Sequence, residues 1–297
     1  MNRTLSLALA CVAIAACSND DWDPARLARG EGHVSDEQLK RGRQTYQTYC
    51  AGCHGEEGDG NGPAAKFLSP KPRDFRKGRI KFASVAAGTP PRDEDYLRVI
   101  THGLAGTSMP SWRFVPQEER NDVIAYVRTF APQSEPPGAA VPIPPDPFAK
   151  HPERGVAEGE RVYHGLAACT SCHPAYATKD RIRELMKESD VPFSGFRERM
   201  YESEPKDSEW GEVIKPPDFL VDHVKSASTR DDLVRVIAAG VGGTAMPSWG
   251  ESLKPKQLWG LAYYVESLVE KRGTAEAAAI KSQLAEQDAA ALPAKNP

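Results

Sequence analysis

A five-residue stretch occurs twice in the chain, and the rest of the sequence is arranged around it. Cys50-Ala-Gly-Cys53-His54 recurs as Cys169-Thr-Ser-Cys172-His173, so both copies have the form C-x-x-C-H. Each copy is followed by Met-Pro-Ser-Trp, at Met109 to Trp112 and again at Met246 to Trp249. The two halves of the chain therefore form an internal repeat, and each half carries one C-x-x-C-H and one Met-Pro.

The repeated stretch has the form of an attachment site for c-type haem. Its two thiols add to the vinyl groups of the porphyrin, and the adjacent histidine becomes the proximal ligand of the iron. A downstream methionine is the expected sixth ligand, and Met/His coordination raises the reduction potential. We therefore predict two covalently bound haem c groups as cofactors. The thioether cysteines are Cys50, Cys53, Cys169 and Cys172, and the iron ligands are His54 with Met109 and His173 with Met246.

Two other ligand arrangements are alternatives to this one. A zinc site could use the two C-x-x-C pairs, but the spacing between the pairs is too long for a compact zinc ribbon. Alternatively, His102 or His223 could replace a methionine and give bis-histidine iron. Neither histidine has a counterpart in the other copy, so we expect both at the surface. Met109 and Met246 do occupy matching positions, which favours them as ligands.

Helix signals also lie at matching places in the two halves. Ser35 to Gln38 has the form of a capping box and opens a helix that is predicted to end near Tyr49. Its counterpart is predicted over residues 156–166. A further helix is predicted to end at a glycine in both copies, over 93–102 and 229–240, and each copy closes with an apolar-striped helix. These patterns predict an all-α protein.

The second copy differs from the first in two places. Tyr46 precedes Cys50 by four residues, whereas Tyr163 precedes Cys169 by six, which is a two-residue insertion. A longer insertion at 175–214 separates the second C-x-x-C-H from its downstream elements. This segment is either a docking surface for a redox partner or a solvated charged helix and loop.

The order of elements resembles the class I cytochrome c fold over residues 35–131 and 153–271. In that family an N-terminal and a C-terminal helix cross at a glycine that faces an aromatic residue, and the haem lies in the crevice beneath them. The resemblance implies that the carbonyl of Pro63 accepts the proximal histidine's Nδ1 proton, a bond that orients the ring. The second copy lacks a matching Gly-Pro, which implies two inequivalent haems.

The resemblance also suggests which side chains surround each haem. Trp112 and Trp249 are expected to pack beside the methionine loops, where the indole N–H can reach a propionate or a carbonyl. Pro70 to Phe75 in the first copy corresponds to Lys215 to Phe219 in the second. The cations of these segments, among them Arg73, either neutralise haem propionates or face solvent.

The N-terminus predicts export. Arg3 precedes a short apolar run over residues 5–16, which is too short to be a membrane span and is typical of a signal peptide. The stretch that ends at Cys17 resembles the bacterial lipobox, whose cleavage leaves a lipidated cysteine; the alternative is an ordinary signal peptide. We expect a signal peptide at 1–16, a tether at 17–34, and a periplasmic protein that is anchored to the membrane by a lipid at Cys17.

Composition sets the remaining boundaries. The segment 132–152 is rich in proline, which favours an extended conformation, so we predict a semi-rigid linker between domains at 35–131 and 153–271. The tail at 272–297 is either a frayed helix or disordered. The formal net charge of −3 argues against nucleic acid as a partner.

Two iron centres, each closed by histidine and methionine, predict an electron carrier rather than an enzyme. We expect a dihaem cytochrome of the bacterial cell envelope that shuttles single electrons between a respiratory donor and a terminal oxidase, reductase or dehydrogenase. Its partners would be redox proteins, with no small-molecule substrate. One alternative is a dihaem enzyme of the peroxidase or thiosulfate-oxidising type with a displaceable methionine. Another is a permanent cytochrome subunit of a larger redox complex.

Overall fold

A computed structural model describes residues 34–131 and 135–290 of the protein. The predicted signal peptide, the lipidation site at Cys17 and nearly all of the tether lie outside the described residues. The described chain consists mainly of helices, which confirms the all-α prediction. Within it, no helix combines the length and the apolar character that a membrane span requires.

The first domain is built from helices joined by loops with short 3₁₀ turns. Its helices are α1 (Asp36–Tyr49), α2 (Ala51–His54), α3 (Asp93–His102) and α4 (Gln117–Arg128), and its 3₁₀ turns lie at Ala65–Phe67 and Phe75–Lys77.

The second domain repeats this plan with additions. Its helices are α5 (Pro152–Arg161), α6 (Lys179–Glu188), α7 (Arg230–Ala239), α8 (Pro255–Glu270) and α9 (Ala275–Ala290). A π-helical turn follows α5 at Val162–Leu166, and a 3₁₀ turn lies at Cys169–Ser171. Two short antiparallel strands, β1 (Lys206–Asp207) and β2 (Val213–Ile214), pair with Lys206 opposite Ile214.

Local signals account for where several helices begin and end. The Ser35 hydroxyl accepts a hydrogen bond from the backbone N–H of Gln38 (3.2 Å) and so caps α1, which satisfies one of the donors left free at a helix start. The Thr229 hydroxyl caps α7 in the same way. The helices α3 and α7 end before Gly103 and Gly240, whose φ angles of 68° and 77° suit glycine.

In each repeat, the first helix and the helix that closes the repeat cross with their backbones in contact. A Cβ atom added to Gly42 on α1 would lie 2.1 Å from the carbonyl oxygen of Asp122 on α4, and Tyr126 is the aromatic neighbour. At the equivalent crossing, Gly159 on α5 faces Gly260 and Tyr264 on α8. These crossings agree with the resemblance to class I cytochrome c, because only glycine allows such an approach.

Each crossing lies over a buried apolar cluster. The cluster of the first domain is formed by Tyr46, Tyr96, Val123, Ile124 and Val127. The larger cluster of the second domain includes Val162, Tyr163, Phe219, Val234, Leu258, Ala262 and Leu268.

The two-residue insertion of the second copy lies where α5 gives way to the π-helical turn. There the backbone N–H of Ala167 donates to the carbonyl of Val162 (2.8 Å), and Ala168 adopts a left-handed φ of 47°. The side chain of His164, on this turn, is buried and lies 3.1 Å from the Tyr264 hydroxyl through Nε2. The extra residues are therefore accommodated by a local change of helix type.

The proline-rich linker lies along both domains. The backbone N–H of Val141 donates to the carbonyl of Ser84 in the first domain (2.8 Å). In the second domain, Trp259 Nε1 donates to the carbonyl of Pro144 (2.8 Å) and the Tyr263 hydroxyl donates to Asp146 (2.8 Å). The described part of the linker, over 135–152, thus follows the surface.

The tail is helical over the part that the structure describes. Ala277 and Leu284 of α9 are buried, and Lys281 forms an ion pair with Asp218 of the second domain. A second ion pair joins Lys179 on α6 to Asp288 (2.8 Å). Over 275–290 the segment is therefore a helix packed on the second domain, whereas the sequence predicted a frayed helix or a disordered chain.

Candidate haem-binding sites

One cavity of about 1090 Å³ runs through both domains and contains every cysteine, histidine and methionine predicted as a haem contact. Cavities that hold a single ligand measure roughly 300–1,000 Å³. The cavity is therefore larger than one ligand needs, and the same set of groups lines it twice. These are Cys50, Cys53, His54 and Met109 from the first domain and Cys169, Cys172, His173 and Met246 from the second.

A backbone carbonyl fixes His54. Its Nδ1 atom lies 3.0 Å from the carbonyl oxygen of Arg73, and the Phe75 ring stacks on the imidazole at 4.4 Å between centroids. Burial lowers the pKa of His54, so the ring is neutral. Because Nδ1 donates its proton to the carbonyl, Nε2 carries the free lone pair that a metal requires.

The second histidine is held in the same manner. His173 Nδ1 lies 3.0 Å from the carbonyl oxygen of Pro217, and Phe219 stacks on the ring at 5.0 Å. Burial lowers the pKa of this histidine too. Arg73 and Pro217 each stand two residues before the stacked phenylalanine, so the two copies use the same backbone position.

This arrangement corrects the prediction made for Pro63. The hydrogen bond expected at its carbonyl is accepted by Arg73, and Pro63 itself is exposed. The loop around Pro63 lies along the C-x-x-C turn, because the backbone N–H of Ala64 donates to the carbonyl of Gly52 (2.9 Å). The missing Gly-Pro in the second copy therefore does not deprive His173 of its partner. The Pro-x-Asp-Phe pattern that the two copies share, over 72–75 and 216–219, is the sequence signal for the acceptor.

A buried tyrosine anchors each C-x-x-C-H from the preceding helix. The Tyr46 hydroxyl donates to the carbonyl of Gly55 (2.7 Å), directly after His54. The Tyr163 hydroxyl donates to the carbonyl of Pro174 (2.9 Å), directly after His173. The sequence showed both tyrosines at matching places without revealing this role, since the bond depends on how the turn folds back.

The two methionine loops have the same construction. The backbone N–H of Met109 donates to the Thr107 hydroxyl (3.1 Å), and that of Met246 donates to the Thr244 hydroxyl (3.2 Å). The methionine carbonyls accept from Leu104 (3.0 Å) and from Val241 (3.2 Å). Both methionines line the cavity. In each copy, the methionine loop follows the segment with the stacked phenylalanine along the chain. Coordination by these methionines stays a prediction.

The four cysteines are thiols that line the cavity, and none of them forms a disulfide in the described part of the chain. Burial raises the pKa of Cys50 and Cys169 to about 12, so they are not the exposed thiolates of reactive cysteines. The described residues also contain no group of three or more His, Cys, Asp or Glu side chains placed to hold a metal ion. The four-thiolate zinc alternative thus finds no support in the geometry.

Comparison with protein families identifies the chain. The model of the family described as cytochrome c oxidase, cbb3-type, subunit III matches residues 37–127 and 154–265. The chain belongs to this family. The matched regions coincide with the two helical domains, so the protein is a dihaem c-type cytochrome with two tandem cytochrome c domains and two covalently bound haem c groups.

A solved structure resembles nearly the whole of this architecture. It is a chain of the reducing HAO-like protein complex of Kuenenia stuttgartiensis, with 30% sequence identity and a TM-score of 0.61. The likeness covers 80% of this chain and 97% of that chain. A comparison with curated proteins found no match. Together with the family, this likeness makes the protein a redox cytochrome that transfers electrons.

The charge of the cavity suits haem, whose propionates are anionic. Lys71, Arg73 and Lys215 all line it, and so does Lys81, whose pKa burial lowers to about 8. Among the cavity-lining residues in the described part of the chain, Glu212 is the one carboxylate. These side chains would counter the charge of the haem propionates. Arg73 is half-buried at the cavity, whereas Lys71 and Lys215 line it and are also exposed to solvent, so contact with the propionates stays a prediction.

The tryptophans and the two remaining candidate histidines take different positions. Trp112 and Trp249 line the cavity beside the methionine loops; the predicted partner of each indole N–H stays a prediction. His102 is exposed at the end of α3. His223 is also exposed, yet it borders the cavity and packs against Gly106 in the Met109 loop of the other domain.

Proposed function

We propose that this cytochrome is an electron carrier that accepts one electron per haem from a donor protein and delivers it to an acceptor protein. The observation that carries the proposal is the shared cavity, because both histidine–methionine sets line it. Haem c supplies the one-electron iron couple. The chain's part is to hold each histidine by Nδ1, so that the ring orientation is fixed before and after reduction.

The two methionines support a carrier over an enzyme. With His54 and Met109 on one iron, and His173 and Met246 on the other, neither iron offers a free position to a substrate. Turnover at the metal would require one methionine to leave. The two methionine loops are held by matching hydrogen bonds, so neither methionine is expected to dissociate more easily than the other.

A spectroelectrochemical titration of the purified holoprotein tests the proposal. We expect two one-electron transitions per chain and the far-red sulfur-to-iron band in proportion to two methionine-ligated haems. Carbon monoxide added to the reduced protein should bind slowly and to a small fraction of the haem. Rapid, stoichiometric binding at one haem would instead favour the dihaem enzyme, of the peroxidase or thiosulfate-oxidising type.

A permanent place in a larger redox complex is the second candidate. It is favoured by the likeness to a chain of the Kuenenia stuttgartiensis complex over 97% of that chain. Purification from gently solubilised envelopes, without added partners, separates the candidates. A companion protein that stays in constant ratio through two chromatographic steps supports the subunit, and an isolated monomer supports the free carrier.

The proposed location is the periplasm, with a lipid anchor at Cys17 and a role in a respiratory chain. The apolar run at 5–16 and the lipobox-like stretch before Cys17 support it. The substitution C17S, with export retained, should release the haem-loaded protein from the membrane fraction into the periplasmic fraction. If C17S remained with the membrane as the wild type does, the lipid anchor would be abandoned.

A further inference from the structure

We infer that Trp210 of the second domain is a positioning residue for His54, the proximal ligand of the first haem. It acts through Arg73. The indole of Trp210 lies 3.7 Å from the Arg73 guanidinium carbon, and the carbonyl of that same arginine accepts the His54 Nδ1 hydrogen bond (3.0 Å). One residue of the first domain therefore joins the proximal histidine to an aromatic ring of the second.

The position of Trp210 is itself fixed by the second domain. It stands in the turn between β1 and β2, where the backbone N–H of Ser208 donates to the carbonyl of Glu212 (2.9 Å). Its ring packs directly on Gly243, since a Cβ atom there would lie 2.1 Å from the indole Cζ2. The backbone N–H of Glu209 also donates to the carbonyl of Gly243 (3.1 Å).

Gly243 belongs to the loop that carries Met246, so the chain of contacts runs from one haem site to the other. It begins in the Met246 loop, crosses the Trp210 ring to Arg73, and ends at His54. An ion pair between Arg79 and Glu209 (3.4 Å) lies alongside and joins the same two segments. The insertion at 175–214, for which the sequence offered a docking surface or a solvated segment, provides this connection.

Among the described residues, the second haem site has no equivalent contact with a ring of the first domain. In the second copy the equivalent acceptor is Pro217, which has no cationic side chain to be stacked by a ring of the first domain. Loss of the Trp210 ring should therefore disturb His54 and leave His173 in place. A hydrogen bond at Nδ1 makes the imidazole a stronger donor and so favours ferric iron. If the Arg73 carbonyl is held less firmly, the potential of the first haem should rise.

The test compares W210A with W210F and with F193A in the full-length holoprotein. Phe193 is the matched control, because its ring contacts an arginine of the same insertion (Arg183, 5.4 Å) and does not line the cavity. The readouts are the two haem potentials and the ferric electron paramagnetic resonance spectrum, which reports the orientation of the axial imidazole. The substitution M109H, which changes a ligand of the first haem, assigns the potentials.

We expect W210A to shift the redox equilibrium of the first haem by up to about tenfold, or about 59 mV for one electron, and to leave the second haem unchanged. W210F should retain the wild-type values, as should F193A. The substitution R73K keeps the charge and the carbonyl but loses the planar stack, and it should move the first haem in the same direction if W210A does not fold. Potentials that do not move, that move equally at both haems, or that move equally in F193A would overturn the inference.

Discussion

Gly159 on α5 meets Gly260 on α8 so closely that a Cβ atom on Gly159 would lie 1.9 Å from the Gly260 carbonyl oxygen. No side chain can be accommodated there unless the two helix backbones separate. The crossing of α1 and α4 at Gly42 is nearly as close, at 2.1 Å from Asp122. The contact between the first helix and the closing helix therefore depends on Gly42 in the first repeat and on Gly159 and Gly260 in the second.

The substitution G159A should lower the free energy of unfolding by about 1–3 kcal/mol, because overpacking forces the helices apart. Chemical denaturation of the holoprotein, followed by circular dichroism, measures this. G52A is the matched control: apart from its own turn, nothing in the described chain lies within 4 Å of a Cβ at Gly52, and alanine suits its helical turn. Equal losses in the two variants would show that the close approach at Gly159 is not what limits stability.

The parts of this fold that the sequence predicted are those with local causes. The helix at 93–102 was predicted with its observed bounds, because its acidic first turn and the glycine after it are local signals. The cap at Ser35 is local in the same sense. The haem sites were predictable because the C-x-x-C-H repeat requires only five neighbouring residues.

The parts that the sequence did not predict depend on distant contacts. The acceptor of the His54 proton is 19 residues away in the chain, so nothing near the motif distinguishes Arg73 from Pro63. Trp210 meets Arg73 across the domain boundary. The tail helix is stabilised by the burial of Ala277 and Leu284 on the second domain. Its own composition suits a helix and a disordered chain equally.

Replacing the methionine that is the proposed sixth ligand of each haem should lower the potential of that haem alone. A thioether ligand favours ferrous iron, so its loss in M109A or M246A should lower the potential within the roughly 0.8 V range that axial ligands control. Spectroelectrochemistry should also show half of the far-red band lost in each variant. M186L is the control, because Met186 lies on α6, packs against the cluster that contains Ile182 and Met200, and does not line the cavity. A full far-red band in M109A or M246A would contradict the ligand assignment.

Stability should fall in acid because of His164. Burial lowers the pKa of this histidine to about 3, whereas in the unfolded chain it is near 6.5. The unfolded state therefore binds more protons between these values, and stability present above pH 6.5 is lost as the pH falls toward 3. The slope should reach at most about 1.4 kcal/mol per pH unit. Denaturation midpoints measured every half unit of pH provide the curve.

The variant H164Q isolates this contribution, since glutamine keeps a polar partner for the Tyr264 hydroxyl without titrating. The difference in the free energy of unfolding between the wild type and H164Q should be constant above pH 6.5. Below pH 6.5 this difference should become smaller or change sign. H102Q, at an exposed histidine on α3, should follow the wild-type curve. Parallel curves for H164Q and the wild type would assign the acid loss to other groups.

Removing the Lys281 side chain should weaken the attachment of α9 to the second haem site. Lys281 pairs with the carboxylate of Asp218, which also accepts from the Tyr176 hydroxyl (3.2 Å) and directly follows Pro217, the partner of His173. Asp218 is buried, so K281A leaves its charge with fewer partners. We expect a loss of about 1 kcal/mol, modest because Lys281 is partly exposed. K256A, at an exposed lysine on α8, should change the free energy of unfolding by less.

Since the backbone at Pro217 is also held from within the domain, the potential of the second haem should stay constant in K281A. A loss of stability no greater than that of K256A would mean that α9 is attached by its apolar residues alone.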